Sequence, residues 1–245
     1  MVMLNPGIDA AKANNPFTTY ETIKKLGVAT DSLKDFIDSY MEGSRKYGEK
    51  DYERPDNFDL KQDAFLKPWD GCGIAFPKGF LDDDEKVDSE SDSAKDAKKN
   101  VLMQKLQLEL IPYASRTFDV NSKNCDELLF PYVETLFDEI FREQRTYVIF
   151  CSDFFDKLFK SYEEKHKGSI IYEGTNPKKS SDEIFDKKEG REKYAYCSPI
   201  IINWGDKSQK AVIAHTFPNR ALSNAYKKME KYGAFCYKVF DESFK

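Results

Sequence analysis

Residues 125–165 place a helix, a strand and a second helix in direct succession, and this order decides the predicted fold class. CDELLFPYVETLFDEIFREQ (125–144) carries its apolar residues on one helical face. TYVIFCS (146–152) is a nearly continuous apolar run, which is typical of a central strand in a parallel sheet. DFFDKLFKSYEEK (153–165) returns to helical spacing. The succession predicts an α/β fold.

Further strands and helices are predicted on both sides of this segment. The additional strands are VMLN (2–5), KLQLELIPY (105–113), PIIINW (199–204) and KAVIAHT (210–216), the last two joined by GDKSQ. Two helices are predicted within 19–48, each ended by a glycine, and a closing helix over 221–244 is expected to break at Gly233. The alternation of strands and helices predicts a three-layer α/β/α sandwich around a mainly parallel central sheet.

The length and composition suit one large domain. The chain has 245 residues, of which 40% are hydrophobic, and its 19 Phe and 14 Tyr are enough for a sizeable core. Two polar, charged stretches, 81–100 and 163–193, are predicted to be mobile insertions in this single domain, 1–245, with Ile170, Ile171 and Tyr172 as residues that could anchor part of the second. Eight acidic residues and four lysines lie between Asp82 and Lys99, so this stretch carries most of the net charge of −5. The acidity of the chain therefore neither excludes nor favours a nucleic-acid partner.

Several classes of protein are disfavoured by composition alone. No apolar run approaches the ~20 residues that a membrane-spanning helix needs, and the N-terminus lacks the features of a secretory leader. The five cysteines are scattered, odd in number and outside metal-ligand spacing, so we expect neither disulfides nor a metal site. We expect a monomeric cytoplasmic protein with no membrane contact, no metal and no cofactor.

Polar residues occur where the predicted strands end. Asn5-Pro6-Gly7 completes and follows the first strand, Ser152 ends the third, and His215 lies at the end of the last. Ligands of parallel sheets bind in the crevice beyond the carboxyl ends of the strands. We therefore expect these side chains to converge on one crevice.

Two of these strand ends resemble motifs of the uracil-DNA glycosylase superfamily, closest to its mismatch-specific and single-strand-selective branches. VMLNPG (2–7) is similar to the N-P-G turn after the first strand of that family, and AHTFPNR (214–220) is similar to the His-led turn after its last strand. Phe17 lies about where the family places the aromatic residue that stacks on the extracted base, and LELIPY (108–113) resembles the middle strand, whose end reads the base edge. The resemblance implies a glycosylase-like fold and hydrolysis of the N-glycosidic bond of a flipped DNA base.

This chemistry suggests a role for each candidate residue. Asn5 would position the attacking water or bind the base, and His215 would donate a hydrogen bond to the base oxygen as negative charge develops there. The candidates for substrate binding are Phe17, Glu109, Pro6, Gly7 and Tyr113, and those for DNA contact are Phe217, Arg220, Lys227 and Lys228.

Glu109 departs from the family pattern, which has an asparagine at the base-reading position. An ionised carboxylate only accepts hydrogen bonds, so Glu109 favours a base edge that presents donors, such as an exocyclic amine. Recognition of uracil would require a protonated Glu109, a form that burial favours. The sequence therefore leaves open which base is recognised.

Two other functions stay open on the sequence alone. The same fold without catalysis would bind a nucleotide, a nucleic acid or a protein partner, and the acidic stretch and Glu109 favour this alternative. In the other alternative the motif matches arise by chance, and the chain is an unrelated α/β enzyme such as a hydrolase. Taken singly, the Asn-Pro-Gly turn, His215 and Phe17 are each compatible with a purely structural role.

Overall fold

The computed structural model describes residues 1–3, 62, 64–69, 108–110, 126–185, 193–216 and 226–245. Its helices and strands, in chain order, are β1 (Val2–Met3), β2 (Leu108–Glu109), α1 (Asp126–Arg142), β3 (Val148–Cys151), α2 (Phe154–Lys165), β4 (Ile170–Tyr172), β5 (Lys178–Glu183), β6 (Tyr194–Trp204), β7 (Lys207–Ala214) and α3 (Tyr226–Phe244). These residues fall into two compact units. The first unit holds 1–3, 108–110, 126–171 and 200–213, and the second unit holds the remainder.

The described strands form a sheet whose order is β2-β1-β3-β7-β6-β4, with β5 also paired to β6. β1 is parallel to both of its neighbours, with Val2 opposite Leu108 of β2 and opposite Phe150 of β3. All four residues of β3 are buried, as expected for a parallel strand covered on both faces. The predicted central parallel strand is therefore confirmed.

β6 belongs to an antiparallel part of the sheet. It is joined to β7 by Gly205-Asp206 alone, and the φ of +61° at Gly205 suits a two-residue hairpin turn. A connection this short joins only antiparallel neighbours. β5 pairs with β6 in antiparallel fashion as well, with Lys178 opposite Cys197. The sheet is therefore mixed, and the chain has an α/β fold.

Several segments differ from what the sequence predicts. α3 runs through Gly233 without interruption, so the expected break there is wrong. The connection expected over 205–209 is only two residues long. The range 163–185, expected to belong to an insertion anchored in part by Ile170–Tyr172, contains the end of α2, the strand β4 at those anchoring residues, and the further strand β5. β5 is polar throughout, with only Ser180 buried, so its sequence does not show strand periodicity. The predicted helices within 19–48 and the insertion 81–100 lie outside the described residues.

Aromatic side chains pack the two helices of the first unit onto its strands. Phe150 of β3 lies 5.1 Å from Phe155 and 4.8 Å from Phe159, both on α2, between ring centroids. The Phe159 ring lies 5.8 Å from that of Phe137 on α1, which in turn contacts Trp204 of β6 at 5.5 Å. Because four of these rings are completely buried, this cluster forms the centre of the first core.

A second aromatic cluster holds α3 in the second unit. Tyr232 of α3 contacts Phe65 at 5.3 Å and Phe185 at 5.4 Å, edge to face in both cases. Trp69 lies 5.6 Å from the ring of Tyr237, five residues further along α3. The buried face of α3 therefore packs on the helical residues 64–66 and the short segment that follows them.

Two properties of the described residues bear on the expected class of protein. Cys151, Cys197 and Cys236 are buried free thiols. None of the helices in the described part of the chain combines the length and the apolarity that crossing a lipid bilayer requires.

Candidate functional site

The carboxyl edge of the parallel strands in the first unit is one place where function is expected. The chain passes from β1 to β2 on one side and later to β3 on the other side of β1, so the strand order reverses at β1. In open α/β sheets, ligands bind beyond the strand ends at such a switch point. The backbone pairing of β1 and β2 extends one residue beyond β2, because the Leu110 N–H donates to the carbonyl of Met3, the last residue of β1, at 2.8 Å. β1 ends two residues before Asn5 in the sequence, and Asn5-Pro6-Gly7 itself lies outside the described part of the chain.

The end of β3 at the same edge leads directly into the start of α2. The Ser152 hydroxyl accepts a hydrogen bond from the backbone N–H of Phe154 at 3.1 Å and donates to the Asp153 carboxylate at 3.4 Å. The backbone N–H of Asp156 donates to the Asp153 carbonyl at 3.1 Å. Ser152 therefore accepts hydrogen bonds from two backbone N–H groups at the start of α2, from Phe154 through its hydroxyl and from Phe155 through its carbonyl.

Four hydrogen bonds fix the end of β7 in the second unit, where His215 lies. The backbone N–H of His215 donates to the Tyr196 carbonyl on β6 at 3.1 Å, and its ring Nε2 lies 2.8 Å from the hydroxyl oxygen of Ser198. The next residue, Thr216, donates its backbone N–H to the Tyr232 hydroxyl at 2.9 Å, and that hydroxyl donates to the Tyr196 carbonyl at 3.1 Å. His215 is half-buried, and its partners Ser198 and Tyr232 are buried. These hydrogen bonds therefore fix both the backbone at the strand end and the imidazole ring.

The hairpin register explains why Ser198 meets His215. With Gly205-Asp206 as the turn, Trp204 is opposite Lys207, and counting back along both strands places Tyr196 opposite His215. The hydrogen bond between those two residues confirms this register. Residues two apart on a strand point to the same face, so the Ser198 side chain is the diagonal neighbour of His215.

The remaining predicted site residues divide into described and undescribed ones. Glu109 lies in β2, opposite Met3 in the parallel register. Met3 precedes Asn5 by two residues in the sequence. Lys227 is exposed and Lys228 half-buried in the first turn of α3. Those outside the described residues are Asn5, Pro6, Gly7, Phe17, Tyr113, Phe217 and Arg220.

Ser198, Tyr196 and Tyr232 are site residues that the sequence analysis did not identify. Ser198 and Tyr196 were within reach of a sequence argument, because a two-residue turn at Gly205-Asp206 would have placed them beside His215. Tyr232 was not, because no pattern in the sequence shows which helical tyrosine contacts the end of β7.

The described side chains suggest no preformed metal centre. Among them, no three His, Cys, Asp or Glu residues lie close enough together to hold a metal ion. Comparison of the chain with protein families, curated protein sequences and solved structures finds no match.

Proposed function

We propose that the protein is a DNA glycosylase-like enzyme that hydrolyses the N-glycosidic bond of a flipped base, built on a three-layer α/β/α sandwich of the uracil-DNA glycosylase type. The observation that carries this proposal is the place of β1. It is parallel to β2 and β3, lies at the reversal of strand order, and leads into Asn5-Pro6-Gly7. The resembling motif therefore follows the strand whose carboxyl end is favoured for ligand binding.

The reaction needs few protein groups, and the proposed residues match them. The bond between C1′ and the base nitrogen breaks with its electron pair remaining on the base, the oxygen of water bonds to C1′, and a water proton ends on the departing base. Asn5 orients this water, and His215 donates a hydrogen bond to the base oxygen on which charge develops. Because stabilising groups act best when their orientation is fixed in advance, the hydrogen bonds that hold His215 support this role.

The substrate contacts of the proposal come from the resemblance and from residue chemistry. Phe17 stacks on the flipped base, and Glu109 and Tyr113 line the edge that reads it. Phe217 enters the gap left in the base stack. Contact with the DNA phosphates is assigned to Arg220, Lys227 and Lys228. The enzyme is proposed to act as a cytoplasmic monomer.

The proposal is tested with labelled oligonucleotides, single- and double-stranded, that carry uracil, hypoxanthine, xanthine, or mismatched thymine or cytosine. Alkali treatment converts each abasic site to a strand break. We expect cleavage at one of these bases, and a loss of roughly 100-fold or more in Asn5→Ala and in His215→Ala. Lys238→Ala, an exposed residue on α3, serves as the matched control and should retain activity. A folded protein that cuts none of the substrates would contradict the proposal.

A second candidate function, a binding module of the same fold without catalysis, is favoured by one observation. The ring Nε2 of His215 is engaged by a buried hydroxyl, an arrangement that also suits a histidine that holds the strand end in place for ligand binding and takes no part in catalysis. The two functions differ in the effect of Asn5→Ala and His215→Ala, which would weaken nucleotide or DNA binding without abolishing any turnover. Calorimetry with mononucleotides and oligonucleotides measures this difference.

A further inference from the structure

The hydrogen bond between Ser198 and His215 depends on which imidazole nitrogen of His215 carries the hydrogen. The Ser198 hydroxyl oxygen lies 2.8 Å from Nε2 of His215, and Ser198 is only 3% exposed. A neutral imidazole carries its single hydrogen on either Nδ1 or Nε2, and the hydrogen bond at one nitrogen decides which. The direction of the Ser198 hydrogen bond therefore sets the tautomer of His215.

The partners of Ser198 favour one direction. Within the described part of the chain, the Ser198 hydroxyl has no hydrogen-bond partner other than Nε2 of His215. If Nε2 carried the hydrogen, Ser198 would accept it and its own buried O–H would have no acceptor among these residues. If Nε2 carries no hydrogen, the Ser198 hydroxyl donates its hydrogen to Nε2, and only the lone pairs of the Ser198 oxygen remain without a donor. An orphaned buried donor is the rarer and costlier case.

We infer that Ser198 donates its hydroxyl hydrogen to Nε2 and thereby fixes neutral His215 as the Nδ1–H tautomer. Any hydrogen bond that the neutral ring donates then leaves from Nδ1. Ser198 is a positioning residue, because it acts on a ligand only through the imidazole. The backbone hydrogen bond from His215 to Tyr196 holds the main chain of His215, and the Ser198 hydrogen bond orients its imidazole ring.

The inference about the tautomer stands on the geometry alone, whereas its consequence for catalysis rests on the proposed function. A histidine that stabilises developing negative charge must present an N–H, and a fixed tautomer presents it at one nitrogen only. In the proposed glycosylase, Ser198 thus determines that Nδ1–H is the group that faces the departing base.

Nuclear magnetic resonance tests the tautomer directly. The chain has only two histidines, His166 and His215, so spectra of protein with ¹⁵N-labelled histidine are assigned with a single variant, His166→Gln. At mildly alkaline pH, where imidazoles are neutral, long-range ¹H–¹⁵N correlations distinguish Nδ1–H from Nε2–H. We expect the Nδ1–H pattern for His215 in the wild type. The Nε2–H pattern in the wild type would overturn the inference without any variant being made.

Three variants test whether Ser198 causes this state. Ser198→Ala should shift His215 toward Nε2–H, and Ser198→Thr, which keeps the hydroxyl, should restore Nδ1–H. Ser180→Ala is the matched control, since Ser180 is another buried serine of the second unit, bonded to Ala195 N at 3.0 Å and to the Asp182 carbonyl at 2.8 Å. It should leave the His215 spectrum unchanged. Retention of Nδ1–H in folded Ser198→Ala would also overturn the inference.

Kinetics separates this inference from the proposed function. If the protein cleaves a base, Ser198→Ala should lower kcat by roughly tenfold or more with little change in KM, and Ser198→Thr should recover most of it. If no base is cleaved, the proposed function fails while the spectra still decide the tautomer. Full activity in a Ser198→Ala protein that has switched to Nε2–H would overturn the catalytic consequence.

Discussion

A Cβ atom added to Gly233 would lie 1.8 Å from the backbone oxygen of Phe65. α3 and the helical residues 64–66 therefore approach so closely at this point that only a hydrogen fits between them. Because of this close approach, the ring of the adjacent residue Tyr232 packs against Phe65, and its hydroxyl accepts a hydrogen bond from the backbone N–H of Thr216. The glycine inside the helix thus supports the strand end that carries His215.

Gly233→Ala should destabilise the protein, because the new methyl group meets backbone that cannot rotate away. We expect the free energy of unfolding in urea to fall by about 3 kcal/mol or more. At an exposed helical site the same substitution would raise it by up to ~1 kcal/mol, so the sign of the change is diagnostic. Ala234→Gly, on the exposed face of α3, is the control and should cost about 1 kcal/mol. A stabilised Gly233→Ala protein would show that the close approach is absent.

The Trp204 indole N–H donates to the Asp138 carboxylate at 2.7 Å, across 66 residues of sequence. Because the contact is solvent-exposed, we expect Asp138→Ala to lower the free energy of unfolding by only about 1 kcal/mol. Asp138→Asn keeps an acceptor oxygen and should cost less. A double-mutant cycle with Trp204→Phe measures the coupling directly, and a coupling energy near zero would contradict the bond.

Glu163 joins the end of α2 to the start of β4. Its two carboxylate oxygens accept hydrogen bonds from the backbone N–H groups of Gly168 at 2.5 Å and Ile170 at 2.7 Å. Glu163→Gln replaces one acceptor by an NH₂ group that faces a donor, so we expect a loss of ~1–3 kcal/mol in unfolding free energy. Hydrogen exchange at the Gly168 and Ile170 amides should accelerate. The control is Glu164→Gln at the exposed neighbouring residue. Equal exchange rates of the Gly168 and Ile170 amides in the two variants would argue against the hydrogen bonds to Glu163.

Burial, followed by the carboxylates of Glu134 and Asp138, raises the pKa of the Tyr162 phenol from 10.0 to about 12. The unfolded chain releases this proton near pH 10.0 and the folded chain near 12, so the neutral phenol stabilises the fold fully below pH 10.0. That contribution is lost as the pH rises through this window. Absorbance titration of the phenolates should therefore lose a component near pH 12 in Tyr162→Phe. Glu134→Gln should lower the pKa of Tyr162, whereas Glu143→Gln, one residue beyond the end of α1, should not. An unchanged alkaline component in Tyr162→Phe would assign it to another tyrosine.

The elements that the sequence predicted well are those with a strong hydrophobic period. α1, α2 and β3 lie where their apolar patterns place them, because each has a face or a whole strand that must be buried. β5 was missed because an exposed strand needs no apolar alternation. The break expected at Gly233 was wrong because a glycine lowers helix propensity by only about 1 kcal/mol, and packing against Phe65 outweighs that cost.

The candidate site was predictable in part. The placement of His215 at the end of a strand could be predicted from the apolar run that precedes it, and the structure confirms this placement. Its partner Ser198 was not predicted, because the two residues are 17 positions apart and meet only through the hairpin register. Asn5 and Phe17 lie outside the described residues, so their roles stay predictions.

By itself, the sequence determined the positions of α1, α2 and the buried strand β3, since hydrophobic periodicity is a local property that each segment carries alone. Only the tertiary structure decided the strand order, the mixed direction of the sheet and the partners of His215. These depend on turn length and register, where a shift of one residue moves every side chain to the opposite face. The Ser198 hydrogen bond is a direct consequence of such a register, and so is the tautomer that it assigns to His215.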